Sequence, residues 1–166
     1  TKLADHVTVS ASGLYTNDTP DVGGVLAVDG GSVGITEKDT DKGGLTLGDS
    51  VVIKADAGAW LKPTGKLAGG KGGSVTMSGL PSLGNADVSA FGFSKGGSLT
   101  LNAFGNIQAG GKNLHASGTL WLPEAFFGKG GFAKYTMATS LPDSNVLIGY
   151  AAGKINTKIH PQTQLL

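Results

Sequence analysis

Five glycines crowd into the nine residues from Gly65 to Gly73, and a strictly alternating Ser-Val-Thr-Met follows at 74–77. Inside regular structure each glycine costs roughly 0.5–1 kcal/mol relative to alanine. A chain that repeats this arrangement needs a geometric reason for it. Glycine pairs recur at 23–24, 30–31, 43–44, 69–70, 72–73, 96–97, 110–111 and 130–131. Several open a run with period two: GGSVGI from Gly30, GGLTL from Gly43, GGSVTM from Gly72 and GGSLTL from Gly96. In each, apolar residues (Val33/Ile35, Leu45/Leu47, Val75/Met77, Leu99/Leu101) alternate with small or polar ones, the signature of a strand with one buried face. The same alternation marks His6–Ser10, Ser50–Ala55, Thr119–Leu122, Val146–Ile148 and Ile155–Ile159. Helical pattern is confined to Leu122–Gly131, opened by Pro123 and closed by glycine after about one turn.

Two all-β architectures compete for this pattern. A sandwich or barrel joins antiparallel strands by tight turns rich in Asn-Gly or Asp-Gly, yet Asp29-Gly30 is the one such dipeptide in the chain. A parallel β-helix, or β-solenoid, stacks short strands layer on layer at about 4.8 Å. Its corners call for left-handed or extended glycines, and small residues are needed where successive layers sit close. The uneven spacing of the pairs fits fixed strands joined by variable corners, so the expected fold is a parallel β-helix. At roughly 20–25 residues per layer, residues 1–166 make one unit of about seven irregular rungs, roughly 30–35 Å tall.

Composition narrows the partners. Glycine makes up 29 of the 166 residues, well over twice the usual share of about 7%. Net charge is +1, and all 13 basic residues are lysine. Without arginine the bidentate fork that reads phosphates is missing, so nucleic acid is not an expected partner. No run of about 20 apolar residues exists, so no membrane-spanning helix is expected. The chain has no cysteine, which excludes disulfides and thiolate metal sites. Thr1–His6 has neither an initiator methionine nor the build of a signal peptide, and reads as the start of a piece of something longer.

The ordered series VTVSASGLYTNDTPD (7–21), DGGSVGI (29–35) and LTLGDSVVIKADAGAWLKPTGKLAGGKGGSVTM (45–77) resembles the passenger of filamentous-haemagglutinin-like exoproteins. So do LWLPEAFFGKGGFAKYTM (120–137) and VLIGYAAGKINTKIHPQTQLL (146–166). The resemblance implies a right-handed β-helix and an internal rod segment of a large secreted exoprotein. It also implies export by a Gram-negative bacterium through an outer-membrane two-partner transporter. The expected role is adhesion, biofilm formation or a toxin stalk at the cell surface, with a host or neighbouring-cell receptor or glycan as partner. Open edges at both ends of an isolated solenoid predict end-to-end association; a strict monomer in light scattering at every concentration would count against it.

Chemistry-bearing residues are sparse. His6, His115 and His160 stand far apart without metal-ligand spacing, and no Gly-x-Ser-x-Gly elbow occurs. The runner-up function is a carbohydrate-active or carbohydrate-binding β-helix module, and glycosidic cleavage needs two carboxylates about 5–10 Å apart. The acidic residues fall instead in expected loops: Asp18, Asp21 and the run Glu37–Asp41. That run offers oxygen ligands for calcium but lacks the glycine and distal glutamate of an EF-hand loop, so it reads as a solvated loop. A threonine array of the kind that orders water needs Thr at successive outward positions, which these strands lack. Trp60 and Trp121 are expected to face outward, Trp121 under cover of Leu122–Gly131, with Phe126, Phe127 and Phe132 as a satellite core. No catalytic, cofactor or metal residue is predicted.

Overall fold

The structure, a computed structural model, describes residues 2–17, 28–37 and 44–148, with two further short strands at 158–159 and 163–165. The first half forms β1 (Lys2–Leu3), β2 (Thr8–Ser10), β3 (Tyr15–Asn17), β4 (Ser32–Thr36), β5 (Thr46–Leu47), β6 (Val52–Lys54), β7 (Ala59–Leu61), β8 (Leu67–Gly69) and β9 (Ser74–Ser78). The second half begins with β10 (Asp87–Ser89), β11 (Gly97–Ala103), β12 (Asn106–Ala109) and β13 (Thr119–Leu122). A one-turn helix α1 (Glu124–Phe127) precedes β14 (Phe132–Thr139), β15 (Val146–Ile148), β16 (Lys158–Ile159) and β17 (Thr163–Leu165). The fold is all-β, as the alternating pattern predicts.

Most pairing is parallel and distant in sequence. Lys2 faces Thr46, Thr8 faces Val52 and Tyr15 faces Ala59, so β1, β2 and β3 lie on β5, β6 and β7 at a constant offset of 44 residues. β4 lies on β9 with Ser32 opposite Ser74, an offset of 42. The chain thus visits four sheets twice in the same order. Later passes differ in length: Ser98 of β11 faces Ser74 of β9, and Lys134 of β14 faces Ser98. The parallel offsets, from 13 residues (Asn106 to Thr119) to 44 (Lys2 to Thr46), correct the expected layer of 20–25. The deepest parallel stack, β4–β9–β11–β14, has four strands instead of seven and stands about 14 Å tall at normal strand spacing. The extra length goes into connections such as the antiparallel hairpin β7–β8, where Leu61 faces Leu67.

Antiparallel pairing recurs at one side of the stack. β17 lies on β14 and β16 on β15, covering the last strand of two sheets. Among the described residues, β4 remains the open edge of the main sheet, where unpaired amides are available to a further strand.

Alternation carries the core. Val33, Val75, Leu99 and Tyr135 form one inward column of the main sheet, and Ile35, Met77, Leu101 and Met137 the next. Seven of these eight are below a tenth exposed; Ile35, on the edge strand, is half-buried. Val9, Ile53 and Val88 stack in the same way across β2, β6 and β10. Burying each large aliphatic side chain contributes about 1.5–3 kcal/mol.

Of the two expected reasons for glycine, close packing of successive layers accounts for the pairs before the main-sheet strands. Gly30–Gly31, Gly72–Gly73 and Gly96–Gly97 all have ordinary φ angles. They sit where successive layers touch: a Cβ at Gly73 would land on the carbonyl oxygen of Gly31, and one at Gly97 on that of Gly73. Close approach of backbones, more than turn geometry, demands glycine there. Gly110–Gly111, at φ +75° and +68°, and Gly130–Gly131, at +71° and +69°, take the left-handed conformation expected of corners.

Candidate functional site

The outer face of the main sheet is polar, small and nearly uncharged. Outward columns run Ser32–Ser74–Ser98–Lys134, Gly34–Thr76–Thr100–Thr136 and Thr36–Ser78–Asn102–Ala138. The middle column therefore holds three threonines in register, while its neighbour holds one. The hydroxyls of Ser32 and Ser74 hydrogen-bond at 2.7 Å.

At the glycine end of this face lies a groove of about 370 Å³. Its floor is the stacked backbone of Gly30–Gly31, Gly72–Gly73 and Gly96–Gly97, bordered by Ser32, Ser74 and Ser98. Lys71, Lys95 and Lys134 also line it. Lys71 and Lys95 are bridged in adjacent parallel layers, and Lys134 stands opposite Ser98 in the next. Among the described residues none of the three ammonium groups is ion-paired. The nearby Asp29 carboxylate accepts the Lys71 backbone N–H at 2.8 Å.

That contact belongs to a recurring corner device. Asp5 Oδ1 accepts the Asp49 N–H at 3.0 Å, and Asn106 Oδ1 accepts the Asn145 N–H at 2.8 Å. Asp56 accepts the Phe91 N–H at 2.8 Å on one oxygen and the Ser89 hydroxyl at 3.0 Å on the other. Each acceptor satisfies a backbone donor of a neighbouring layer that a strand ladder would leave open. Asp5, Asp29, Asp56 and Asn106 are corner fasteners, a role that nothing in their local sequence marks.

A second surface is apolar. Leu14, Tyr15, Leu61, Leu67, Phe91 and Phe93 are exposed, with the Tyr15 and Phe93 rings edge to face at 6.3 Å. Trp60, expected outward, is half-buried with its indole N–H shielded from solvent, and Leu61 is exposed instead. The hairpin partner β8 and the Lys62 ammonium, 5.3 Å from the indole centroid, cover the tryptophan. Trp121 is half-buried, and its cover includes the turn at Gly111, whose carbonyl accepts the indole N–H at 3.3 Å. Phe126, Phe127 and Phe132 gather around Tyr135 as the expected satellite core. The Tyr135 hydroxyl donates to the Phe127 carbonyl at 2.9 Å, and burial raises its pKa above the ordinary 10.0.

His6 and His115 are exposed and stand apart on left-handed backbone, φ 61° and 51°. His160, Asp18, Asp21 and the run Glu37–Asp41 beyond Glu37 lie outside the described residues. Among the described residues no three His, Asp or Glu side chains gather at metal-binding distance, and no helix is long and apolar enough to cross a membrane. The lysine groove escaped sequence reasoning because net charge was weighed over the whole chain. Three basic residues at 71, 95 and 134 become neighbours only at the layer offsets seen here. No family model, curated protein or solved structure matches the chain.

Proposed function

We propose that the chain is a non-catalytic, structural and adhesive rod segment of a large secreted exoprotein, coiled as a right-handed parallel β-helix. In this reading it leaves a Gram-negative cell through an outer-membrane partner barrel and is displayed at the surface. The observation that carries the reading is the repeated visit to the same sheets by parallel strands in constant register. Such an arrangement has each layer stabilised by its neighbours and extends by adding layers. Its outer face is lined by Ser, Thr and Asn. A chain without cysteine is also suited to passage through a pore in an unfolded state.

Latex beads coated with the purified chain test the adhesive role. Coated beads are expected to adhere to cultured epithelial or bacterial cells well above albumin-coated beads. Equal adhesion of the two bead types on every surface would contradict it.

A further inference from the structure

We propose that the apolar flank formed by the β3–β7–β8 sheet and the Phe91–Phe93 corner is where a second copy of this chain packs, across a two-fold axis. The contact goes beyond the adhesive reading above and does not depend on it.

Residue pattern is the first observation. Apolar residues at every second position from Ile53 to Ala59 are buried, and the same alternation runs on to Leu61, which is exposed. Tyr15 lies opposite Ala59, and Leu67 lies opposite Leu61. Tyr15, Leu61 and Leu67 therefore stand on the same sheet face as the buried Ala59. A face patterned for burial is left uncovered among the described residues, with Tyr15 and Leu67 more than half exposed. Phe91 and Phe93, also more than half exposed, extend it, and the Phe93 ring meets Tyr15 edge to face.

Area is the second. At roughly 150–250 Å² for a whole aromatic side chain, the exposed parts of the three rings come to about 350 Å². Leu61 and Leu67 bring the flank to about 500 Å², in the range of functional patches on monomers. Two copies face to face then bury about 1,000 Å² of side chain alone, the threshold for a specific interface.

Shape and charge select the occupant. Tyr15 and Phe93 are the wall common to two hollows of about 380 and 340 Å³. A two-fold rotation sets this ridge of one copy into a hollow of the other, and the reverse, so the surface is complementary to itself. No lysine is among the described residues that line the hollows, and Asp56 supplies the one carboxylate. Its oxygens already accept the Ser89 hydroxyl and the Phe91 N–H. A partner recognised by charge finds nothing to read here, whereas a second copy brings the same neutral surface.

Sedimentation velocity of the full chain over a range of concentrations tests the contact. The wild-type chain is expected to pass from monomer to a discrete dimer and stop there, because a two-fold contact closes on itself. Y15S/F93S should weaken dimerisation at least about tenfold, as expected for aromatic anchors at the centre of an interface. L67K, which puts an unpaired charge into the dry contact, should weaken it as well. L114S/L141S removes exposed leucines outside both hollows and should change it less than about twofold. Circular dichroism and urea midpoints show that each variant is folded. A monomer at every concentration, equal loss in L114S/L141S, or a dimer untouched by Y15S/F93S and L67K would each overturn the proposal. So would a ladder of species growing past the dimer that Y15S/F93S leaves in place, the mark of association through the open β4 edge. Bead adhesion is read separately, so failure of this contact is distinguishable from failure of the adhesive reading.

Discussion

At Gly73 the space normally taken by a side chain is occupied by the carbonyl oxygen of Gly31 in the neighbouring layer. Alanine there must push two backbones apart in the middle of the main sheet. Gly73→Ala is expected to destabilise the fold by about 2 kcal/mol or more, in the range of overpacked cores, as read from urea denaturation. Gly65, at φ +74°, has open space around it, so its alanine variant meets backbone strain alone, about 1–2 kcal/mol. A Gly73→Ala cost smaller than that of Gly65→Ala would contradict the close-approach explanation. The recurrence of glycine pairs before strands was legible from the sequence. That small residues are needed where layers sit close was legible too; which carbonyl stands opposite each glycine was not, because it depends on the layer offsets.

Elements with an uninterrupted polar–apolar alternation, such as β9, β11 and β13, were read correctly from sequence. β12 was not: Asn-Ile-Gln-Ala alternates too, but over four residues only, and Gln108, on the outer face beside Trp121, is buried under the following turn, its amide donating to the Gly110 and Lys112 carbonyls at 3.1 and 2.9 Å. The β7–β8 hairpin was missed because its turn, Lys62–Lys66, lacks the two-residue signal and relies on Pro63 and a left-handed Gly65. The α1–β14 unit shows how a short helix is held by tertiary packing where length alone would not suffice. Phe126 and Phe127 pack on Tyr135, whose hydroxyl bonds the end of that helix. Because burial raises the Tyr135 pKa above 10.0, the unfolded chain releases this proton at lower pH than the folded one. Stability from this group is therefore complete below pH 10 and falls as pH rises through the folded pKa. Denaturant midpoints compared between wild type and Tyr135→Phe should show a steeper alkaline loss in the wild type. Parallel pH profiles above pH 10 would contradict it.

For the molecule as a whole, the stack has a direction. Layers of unequal length carry strands of equal register, so insertions fall in corners and leave the sheets continuous. Antiparallel β17 and β16 cover the last strands of two sheets, while β4 presents an open edge among the described residues. The outer columns run the full depth of the main sheet, and cations 24 and 63 residues apart in the chain (Lys71, Lys95 and Lys134) thereby border one groove. Nothing in the local sequence around any one of them marks it as part of a site. Their proximity is a property of the layer offsets.

Those offsets are open to direct measurement, because the chain has no native cysteine to confuse the result. Parallel register places Ser74 opposite Ser98 and Ser78 opposite Asn102, within the Cα separation of about 4.4–6.8 Å that a disulfide needs. Mild oxidation of S74C/S98C and of S78C/N102C should give intramolecular cross-links, while S74C/N102C, which an antiparallel pair would join, should remain reduced. Efficient cross-linking of S74C/N102C, with the other two pairs unreactive, would show that these strands run in opposite directions and that the chain does not stack in like-directed layers.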